Sequence, residues 1–267
     1  MKFDSLKEKC EYYRSLTDYR LLPGAYTIAM LDGRAFSKRI KNEFELPFDD
    51  KFIRAMNETA LSLCRAGAGV KAAFVQSDEI SLVITDFEED GKPVDPFFKY
   101  RIEKMTSVLA SIATGTFNKE LLNLEIAKAG EGDIYKMLMD FEPVQFDCRV
   151  WTVPNFNDMT AWFLYRQLDC IRNSKQQTAQ QYFKHKELEN LTTDDQIQKL
   201  KDTGKCDWWH DFDDGKKFGR FIYRETEVLH NEERDTDYTR APWVVHHAKP
   251  WSDSENRKIF DEIGIPK

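Results

Sequence analysis

Gln76-Ser77-Asp78-Glu79-Ile80-Ser81 sets two adjacent carboxylates between an apolar run at 70–75 and Leu82-Val83-Ile84. Apolar, β-branched runs broken by a short polar turn predict two strands joined by a tight hairpin, here with acids at its tip. A third acid, Asp32, closes the run Tyr26-Thr27-Ile28-Ala29-Met30-Leu31-Asp32-Gly33-Arg34, which ends in glycine. Two strand ends then present Asp32 and Asp78 to one place. Hard cations such as magnesium take oxygen ligands and complete their shells with water and phosphate oxygens. A converging pair of carboxylates therefore points to phosphoryl chemistry with two metal ions.

Outward from the hairpin, Asp49-Asp50 caps a predicted helix whose apolar positions Phe52, Ile53, Met56, Ala60 and Leu63 follow three-four spacing and stop near Gly67 and Gly69. Asp95-Pro96 opens a long predicted helix through Phe97, Ile102, Met105, Leu109, Ile112 and Phe117, and residues 144–151 alternate enough for a fourth strand. The order β, α, β, β, α, β is the split arrangement of a ferredoxin-like sheet, so the expected class is α+β. In that sheet the first strand neighbours the hairpin, which lets Asp32 meet the Asp78-Glu79 turn. Beyond it a helix is expected at 157–183, with Arg166, Asp169, Asn173, Gln177 and Gln180 on its polar side. A short helix from Thr193-Asp194 to near Gly204 follows, then a Gly215-Lys216-Lys217 turn and a strand at 218–223. The last features expected are an exposed loop at 231–240, a strand at 243–247, and a tail from 251 with a short helix. We read residues 1–155 as the catalytic domain and 156–267 as a helical and small β extension packed on it as one compact unit.

A chain of 267 residues with 41% hydrophobic content has enough apolar material for a large core without staples. The five cysteines, Cys10, Cys64, Cys148, Cys170 and Cys206, are scattered, odd in number and free of any CxxC or Cys/His ligand spacing, which predicts a reducing compartment. The start, Met1-Lys2-Phe3-Asp4-Ser5-Leu6-Lys7-Glu8-Lys9, is charged, and no run approaches the length of a membrane span. A cytoplasmic protein with no membrane partner is expected. The net charge of −7 argues against nucleic-acid binding by bulk charge and leaves only a local basic patch.

Plain readings stand beside these. Asp at a strand end commonly serves its own turn, and Gly33 is a turn former as well as a residue that lets a phosphate approach the backbone. His246-His247 points to opposite faces of a strand and is a poor metal pair. Trp208-Trp209 reads as core filling more than as a stacking platform. Lys216, Lys217 and Arg220 make the best basic turn, either a solvated turn or a phosphate contact.

Leu31-Asp32-Gly33-Arg34-Ala35-Phe36, Pro47-Phe48-Asp49, Gln76-Ser77-Asp78-Glu79-Ile80-Ser81, Phe146-Asp147-Cys148-Arg149-Val150 and the run from Tyr165 to Ser174 together resemble the motifs of the tRNA-histidine guanylyltransferase family. Each piece is short; their order and spacing make the combination specific over roughly residues 5–225. Val153-Pro154-Asn155, Arg172-Asn173-Ser174 and His185-Lys186-Glu187-Leu188 resemble the bacterial-type guanylyltransferase-like branch.

The resemblance implies a polymerase palm that adds nucleotides to the 5′ end of tRNA, a 3′–5′ RNA polymerase. ATP or GTP first activates a 5′-monophosphate, and the 3′-hydroxyl of an incoming nucleotide then attacks it. By the same resemblance Asp32 and Asp78 ligate two magnesium ions with the Gly33 carbonyl, and Glu79 supports the metal site. Arg34, Ala35 and Phe36 line the triphosphate, Ser77 contacts it, and Asn173 reaches it from the long helix. Lys184, Lys186, Lys216, Lys217 and Arg220 are the candidate tRNA contacts, and a homotetramer is expected. Glu45-Leu46 stands where many relatives carry a basic residue before Pro47, which leaves Lys38, Arg39 and Lys41 as candidate cations. Ser37 replaces a frequent histidine, and Ile171-Arg172-Asn173-Ser174 replaces the eukaryotic His-Ile-Asn-Asn wording. These departures favour templated repair of 5′-truncated tRNAs, with tRNA-histidine guanylylation as the related activity. Two other classes are open: a nucleotidyl cyclase-like palm enzyme, which would use Asp32 and Asp78 alike without RNA, and a non-catalytic RNA-binding module. The latter gives no reason for acids at the heart of the sheet, since carboxylates repel phosphate.

Overall fold

The structure is a computed structural model that describes residues 2–36, 42–88, 91–127, 134–232, 235–250, 260–261 and 263–267. The candidate cations Lys38, Arg39 and Lys41, with Ser37, lie outside the described residues. Strands β1 (Tyr26–Gly33), β2 (Val70–Gln76), β3 (Glu79–Ile84), β4 (Phe146–Val153), β5 (Arg220–Arg224) and β8 (Trp243–His247) form one sheet in the order β4-β1-β3-β2-β5-β8. Every adjacent pair in it is antiparallel. Helix α1 (Leu6–Ser15) precedes the sheet, α2 (Asp50–Ala66) joins β1 to β2, and α3 (Ile102–Ile126) with α4 (Ile134–Asp140) joins β3 to β4. After β4 come α5 (Phe156–Tyr182), α6 (His185–Leu188), α7 (Thr193–Asp202) and α8 (Asp214–Phe218). No helix among the described residues is long and apolar enough to cross a membrane.

The inner strands β1, β2 and β3 are buried on both faces, which is why they read as nearly unbroken apolar runs, whereas the edge strand β4 alternates. On one face Ala29, Leu31, Val75 and Ile222 pack with Phe52, Met56 and Leu63 of α2 and Leu109 and Phe117 of α3. On the other, Ile28, Phe74 and Phe221 pack with Met159 and Phe163 of α5 and with Trp208, Phe260 and Ile263. Each fully buried Phe or Ile contributes about 2 kcal/mol of apolar transfer, and on the second face most of the covering residues come from the extension after β4. The α2 start follows from its cap: the Asp49 carboxylate accepts from the N–H groups of Lys51 and Phe52. Asn155 does the same for α5 through Asp158.

Three expectations are corrected. The helix expected from Pro96 begins only at Ile102, because Phe98, Lys99 and Tyr100 adopt left-handed φ values of 50°, 54° and 64°. The cause is competition for backbone groups: Leu21 N–H donates to Tyr100 O at 2.9 Å and Ile102 N–H to Tyr19 O at 3.0 Å, so the chain crosses the 19–21 segment before it turns helical. The Gly215-Lys216-Lys217 turn is one turn of helix, α8, capped by Asp213, and the following strand starts at Arg220. The loop expected at 231–240 is part of an exposed hairpin, β6 (Glu227–Asn231) with β7 (Thr236–Arg240). The N-terminal α1, which was not expected, buries none of its residues. Of the tail, residues 251–259 lie outside the described residues, while Tyr26 Oη donates to Pro266 O at 2.6 Å and ties the C-terminus to β1.

Gly69 turns α2 into β2 at φ +74°, and a Cβ there would stand 2.2 Å from the Thr85 carbonyl oxygen. Gly24, at φ +70°, faces open space. Gly24→Ala is therefore expected to cost only the left-handed backbone strain, about 1–2 kcal/mol. Gly69→Ala adds an overpacking cost of about 1–3 kcal/mol. Urea unfolding of both variants checks this; equal losses would contradict the packing at the hairpin base.

Candidate functional site

Register places four polar residues in one row across the end of the sheet. Asp32 stands opposite Glu79 on β3 and opposite Asp147 on β4, and Glu79 stands opposite Gln76 on β2. Directly opposed residues share a face, and period two puts Asp32 on the face of Ile28, the side covered by α5. Gly33 N–H donates to the Asp78 carbonyl at 3.1 Å, which locks the end of β1 to the hairpin turn. In that turn Ser77 takes φ 43°, and its hydroxyl donates to Asp78 Oδ1 at 3.0 Å.

The two acids are brought together as expected. Burial pushes the Asp78 carboxyl above its usual range, and the Asp32 charge adds to the rise. Burial likewise raises Asp32, helped by Asp147 and opposed by Arg149 and Arg166. Each raised group therefore stands where a cation would relieve both desolvation and like-charge repulsion.

Glu79 is engaged from two sides. It accepts from Gln76 Nε2 at 2.6 Å and from the Arg166 guanidinium. Arg166 also reaches Asp169 at 3.2 Å, and Asp169 pairs with Arg172 and accepts from Asn173 Nδ2 at 3.3 Å. A continuous polar chain thus runs from the acidic row at the sheet end to Asn173. Sequence periodicity had placed Arg166 on the polar side of α5; its partner across the sheet was invisible, because nothing in a one-dimensional pattern sets which strand end a helix covers.

Two parts of the expected triphosphate lining behave differently. Arg34 is exposed, with its N–H on Gln145 O at 2.8 Å, and Ala35 takes φ 58° in the turn after it. Phe36 is 2% exposed, packed on the rings of Phe52, Phe117 and Phe146, so its side chain lines the core and not a ligand. Gly33 is required by that packing, since a Cβ on it would lie 2.4 Å from the Phe36 ring.

Beyond the hairpin turn a cavity of about 360 Å³ opens between α2 and α5, lined by Ser77, Asn173, Gln177, Phe48, Lys216 and Arg220 among others. Ser77 and Asn173 therefore meet at one space. The basic turn at Lys216, Lys217 and Arg220 is corrected: it is no surface patch. Lys217 is 5% exposed, donates to Trp209 O at 2.8 Å and pairs with Asp214 at 3.3 Å. Lys216 pairs with Asp50 at 2.6 Å, and Arg220 is buried. Lys184 and Lys186 are exposed and stand apart from the cavity lining. His246 stacks on Tyr223 at 4.1 Å, and among the described residues no group of three or more His, Cys, Asp or Glu is placed to hold a metal.

The family model of the tRNAHis guanylyltransferases (Thg1) matches residues 7–154, more than half of the chain. Among curated relatives, tRNA(His) guanylyltransferase 1 of Arabidopsis thaliana is 28% identical over 160 residues, 60% of this chain and 25% of that protein. The Debaryomyces hansenii tRNA(His) guanylyltransferase is 27% identical over 170 residues, 63% of this chain and 58% of that protein. The chain thus spans between a quarter and three fifths of those relatives. A solved bacterial tRNA(His) guanylyltransferase-like protein in complex with ATP superposes with a TM-score of 0.78 at 27% identity, over 98% of this chain and 100% of the other. The Saccharomyces cerevisiae enzyme, at 19% identity and a TM-score of 0.61 over 79% of this chain and 91% of the other, shares the fold.

Two outcomes follow from these charges. A carboxyl whose pKa is raised on folding binds its proton more tightly in the folded chain, so stability falls as pH rises from the unfolded value of 3.8 through the folded one. Asp32→Asn and Asp78→Asn are each expected to raise Tm of the metal-free chain at pH 7, with the gain vanishing below about pH 4; no gain at pH 7 would contradict the like-charge pairing. Arg166→Ala takes the guanidinium from Glu79, which keeps only Gln76, while Asp169 keeps Arg172 and Asn173; it is expected to cost on the order of 2 kcal/mol in urea unfolding, less than a wholly buried pair because Glu79 keeps some exposure.

Proposed function

The chain belongs to the tRNAHis guanylyltransferase family, and on that premise we propose that it is a nucleotidyltransferase that extends tRNA at the 5′ end, in the 3′–5′ direction, under the guidance of a complementary template. The observation that carries this reading is the Asp32–Asp78 pair, joined through Gly33 N–H and the Asp78 carbonyl, beside a cavity that Ser77 and Asn173 share. The strand order β4-β1-β3-β2, with α2 and α3 residues packed on one face, supports reading residues 1–155 as a ferredoxin-like polymerase palm and 156–267 as its extension.

The donor set suits magnesium. Asp32 and Asp78 offer hard oxygens, with the Gly33 carbonyl beside them, and two carboxylates leave the rest of each shell to water and phosphate oxygens. Bound there, two magnesium ions would neutralise the phosphate charge and lower the barrier to attack by a hydroxyl. The chain's own groups position. Arg166 and Gln76 hold the Glu79 carboxylate, Asp169 orients Asn173, and the Ser77 hydroxyl and Asn173 amide face the space where a triphosphate from ATP or GTP would lie. Cys170 also lines the cavity, but burial pushes its thiol up to about 12, so it supplies no thiolate at neutral pH. The attacking groups are then substrate oxygens, the RNA 5′-phosphate that displaces pyrophosphate from ATP or GTP in activation and the nucleotide 3′-hydroxyl that displaces the nucleoside monophosphate in transfer, without a covalent enzyme intermediate.

Partners proposed with this activity are tRNA and nucleoside triphosphates, with the exposed Lys184 and Lys186 as RNA contacts. A homotetramer is proposed on the resemblance and on the exposed Leu6, Tyr13, Leu16, Tyr19 and Leu22 of the N-terminal segment. A cytoplasmic location is proposed on five free, scattered cysteines.

The test is a tRNA lacking its first nucleotide and bearing a 5′-monophosphate, incubated with magnesium and labelled nucleotides. The base restored is expected to follow the opposing acceptor-stem position when that position is changed. Guanylate added whatever the template, growth at the 3′ end, or a cyclic product from nucleotide alone would each overturn the reading. Asp32→Asn and Asp78→Asn should each lower transfer by more than about a hundredfold, several kcal/mol of transition-state stabilisation.

A further inference from the structure

Arg220 opens β5 opposite Val75, two residues before the Ser77 turn, and is 3% exposed. Its Nε donates to Asn57 Oδ1 at 2.7 Å and its Nη1 to Gly215 O at 3.1 Å, both neutral acceptors. A guanidinium carries five N–H donors in a planar fork, so these two bonds leave donors to spare. Among the described residues no carboxylate lies within 4.0 Å of it. Asp213 is the carboxylate whose charge acts on it, and that side chain caps Lys216 N–H at 3.0 Å and pairs with Lys216 Nζ at 3.6 Å. A desolvated cation without a counter-ion is costly, and proteins rarely keep one unless an anion completes it. Burial draws the Arg220 pKa down to about 10, which still leaves it charged at neutral pH.

The cavity beside it offers room for an anion. Arg220, Lys216, Ser77 and Asn173 line the same space, and Phe44, Phe48 and Phe52 line its apolar part. Of the acids on that wall, Asp49 spends its oxygens on the N–H groups of Glu45, Lys51 and Phe52, and Glu45 is exposed. Lys216 is already balanced by Asp50. Arg220 is thus the cation on this wall that lacks a balancing acid among the described residues.

We propose that Arg220 anchors a phosphate subsite in this cavity, completed by the Ser77 hydroxyl and the Asn173 amide, that takes a terminal phosphate of a nucleoside triphosphate or of an RNA 5′ end. The inference rests on the proposed function only for the identity of the ligand. A planar fork matches phosphate in bidentate fashion, which a lysine cannot reproduce.

Calorimetric titration of the full chain without divalent metal tests it, using tripolyphosphate in one arm and a 5′-monophosphorylated RNA oligonucleotide against its 5′-hydroxyl twin in the other. Arg220→Lys is expected to fold, keep the charge and lose at least about tenfold in affinity in the arm that matches the natural source. Arg220→Gln should lose more, and Lys216→Gln, at a partly exposed position, should lose less than Arg220→Lys. Loss for tripolyphosphate alone identifies the nucleotide, and loss of the preference for the phosphorylated oligonucleotide identifies the RNA end. If the Arg220 variants do not fold, a Tm of the wild-type chain that tripolyphosphate raises no more than chloride of equal ionic strength overturns the subsite. Unchanged affinity in a folded Arg220→Lys does the same. Because no turnover is measured, a chain that binds tripolyphosphate through Arg220 yet extends no RNA would sink the proposed function alone.

Discussion

The hydrogen bond from Gly33 N–H to the Asp78 carbonyl joins two strand ends that are 45 residues apart in sequence, and the site depends on it. It closes the β1–β3 ladder at the residue where the hairpin turns, so Asp32 and Asp78 are held by backbone rather than by each other. Two carboxylates that repel cannot assemble a site of their own. Here the sheet forces them together and stores the cost as raised pKa values. The apolar ladder behind them, from Ile28 and Leu31 to Ile80 and Leu82, supplies the stabilisation that offsets it.

The same constraint explains why the extension after β4 belongs to the site. Helix α5 covers the face that carries Asp32 and Glu79, and the one buried cation it brings to that row, Arg166, satisfies Glu79. The Arg166 guanidinium thereby offsets the Glu79 charge beside Asp32, and it also reaches Asp169, which accepts from Asn173. Packing and chemistry share residues throughout: Gly33 is bare because the Phe36 ring lies against it, and Asp49 walls the cavity while it caps α2.

Much of this was legible in the sequence where local rules operate. The hairpin at 76–79, the Asp49 cap and the strand that ends at Asp32 follow from turn chemistry, capping and apolar runs. What was missed depends on partners far along the chain. The 97–101 segment is held off the helix by residues 19–21, a pairing that local propensity cannot foresee. Lys217 and Arg220 look like a solvated basic turn until the fold lays Trp208, Asn57 and Gly215 against them. Phe36 sits among motif residues that resemble a phosphate loop, yet its ring fills the core.

The proposed role of Asp32 and Asp78 is to hold divalent ions against the phosphates of a bound triphosphate. A crystal structure grown with manganese and ATP, read by anomalous scattering at the manganese edge, tests it most directly. The account predicts anomalous peaks within coordination distance of both the Asp32 and Asp78 carboxylates and bridged by phosphate oxygens. Peaks that touch neither carboxylate, with ATP seated elsewhere, would contradict it.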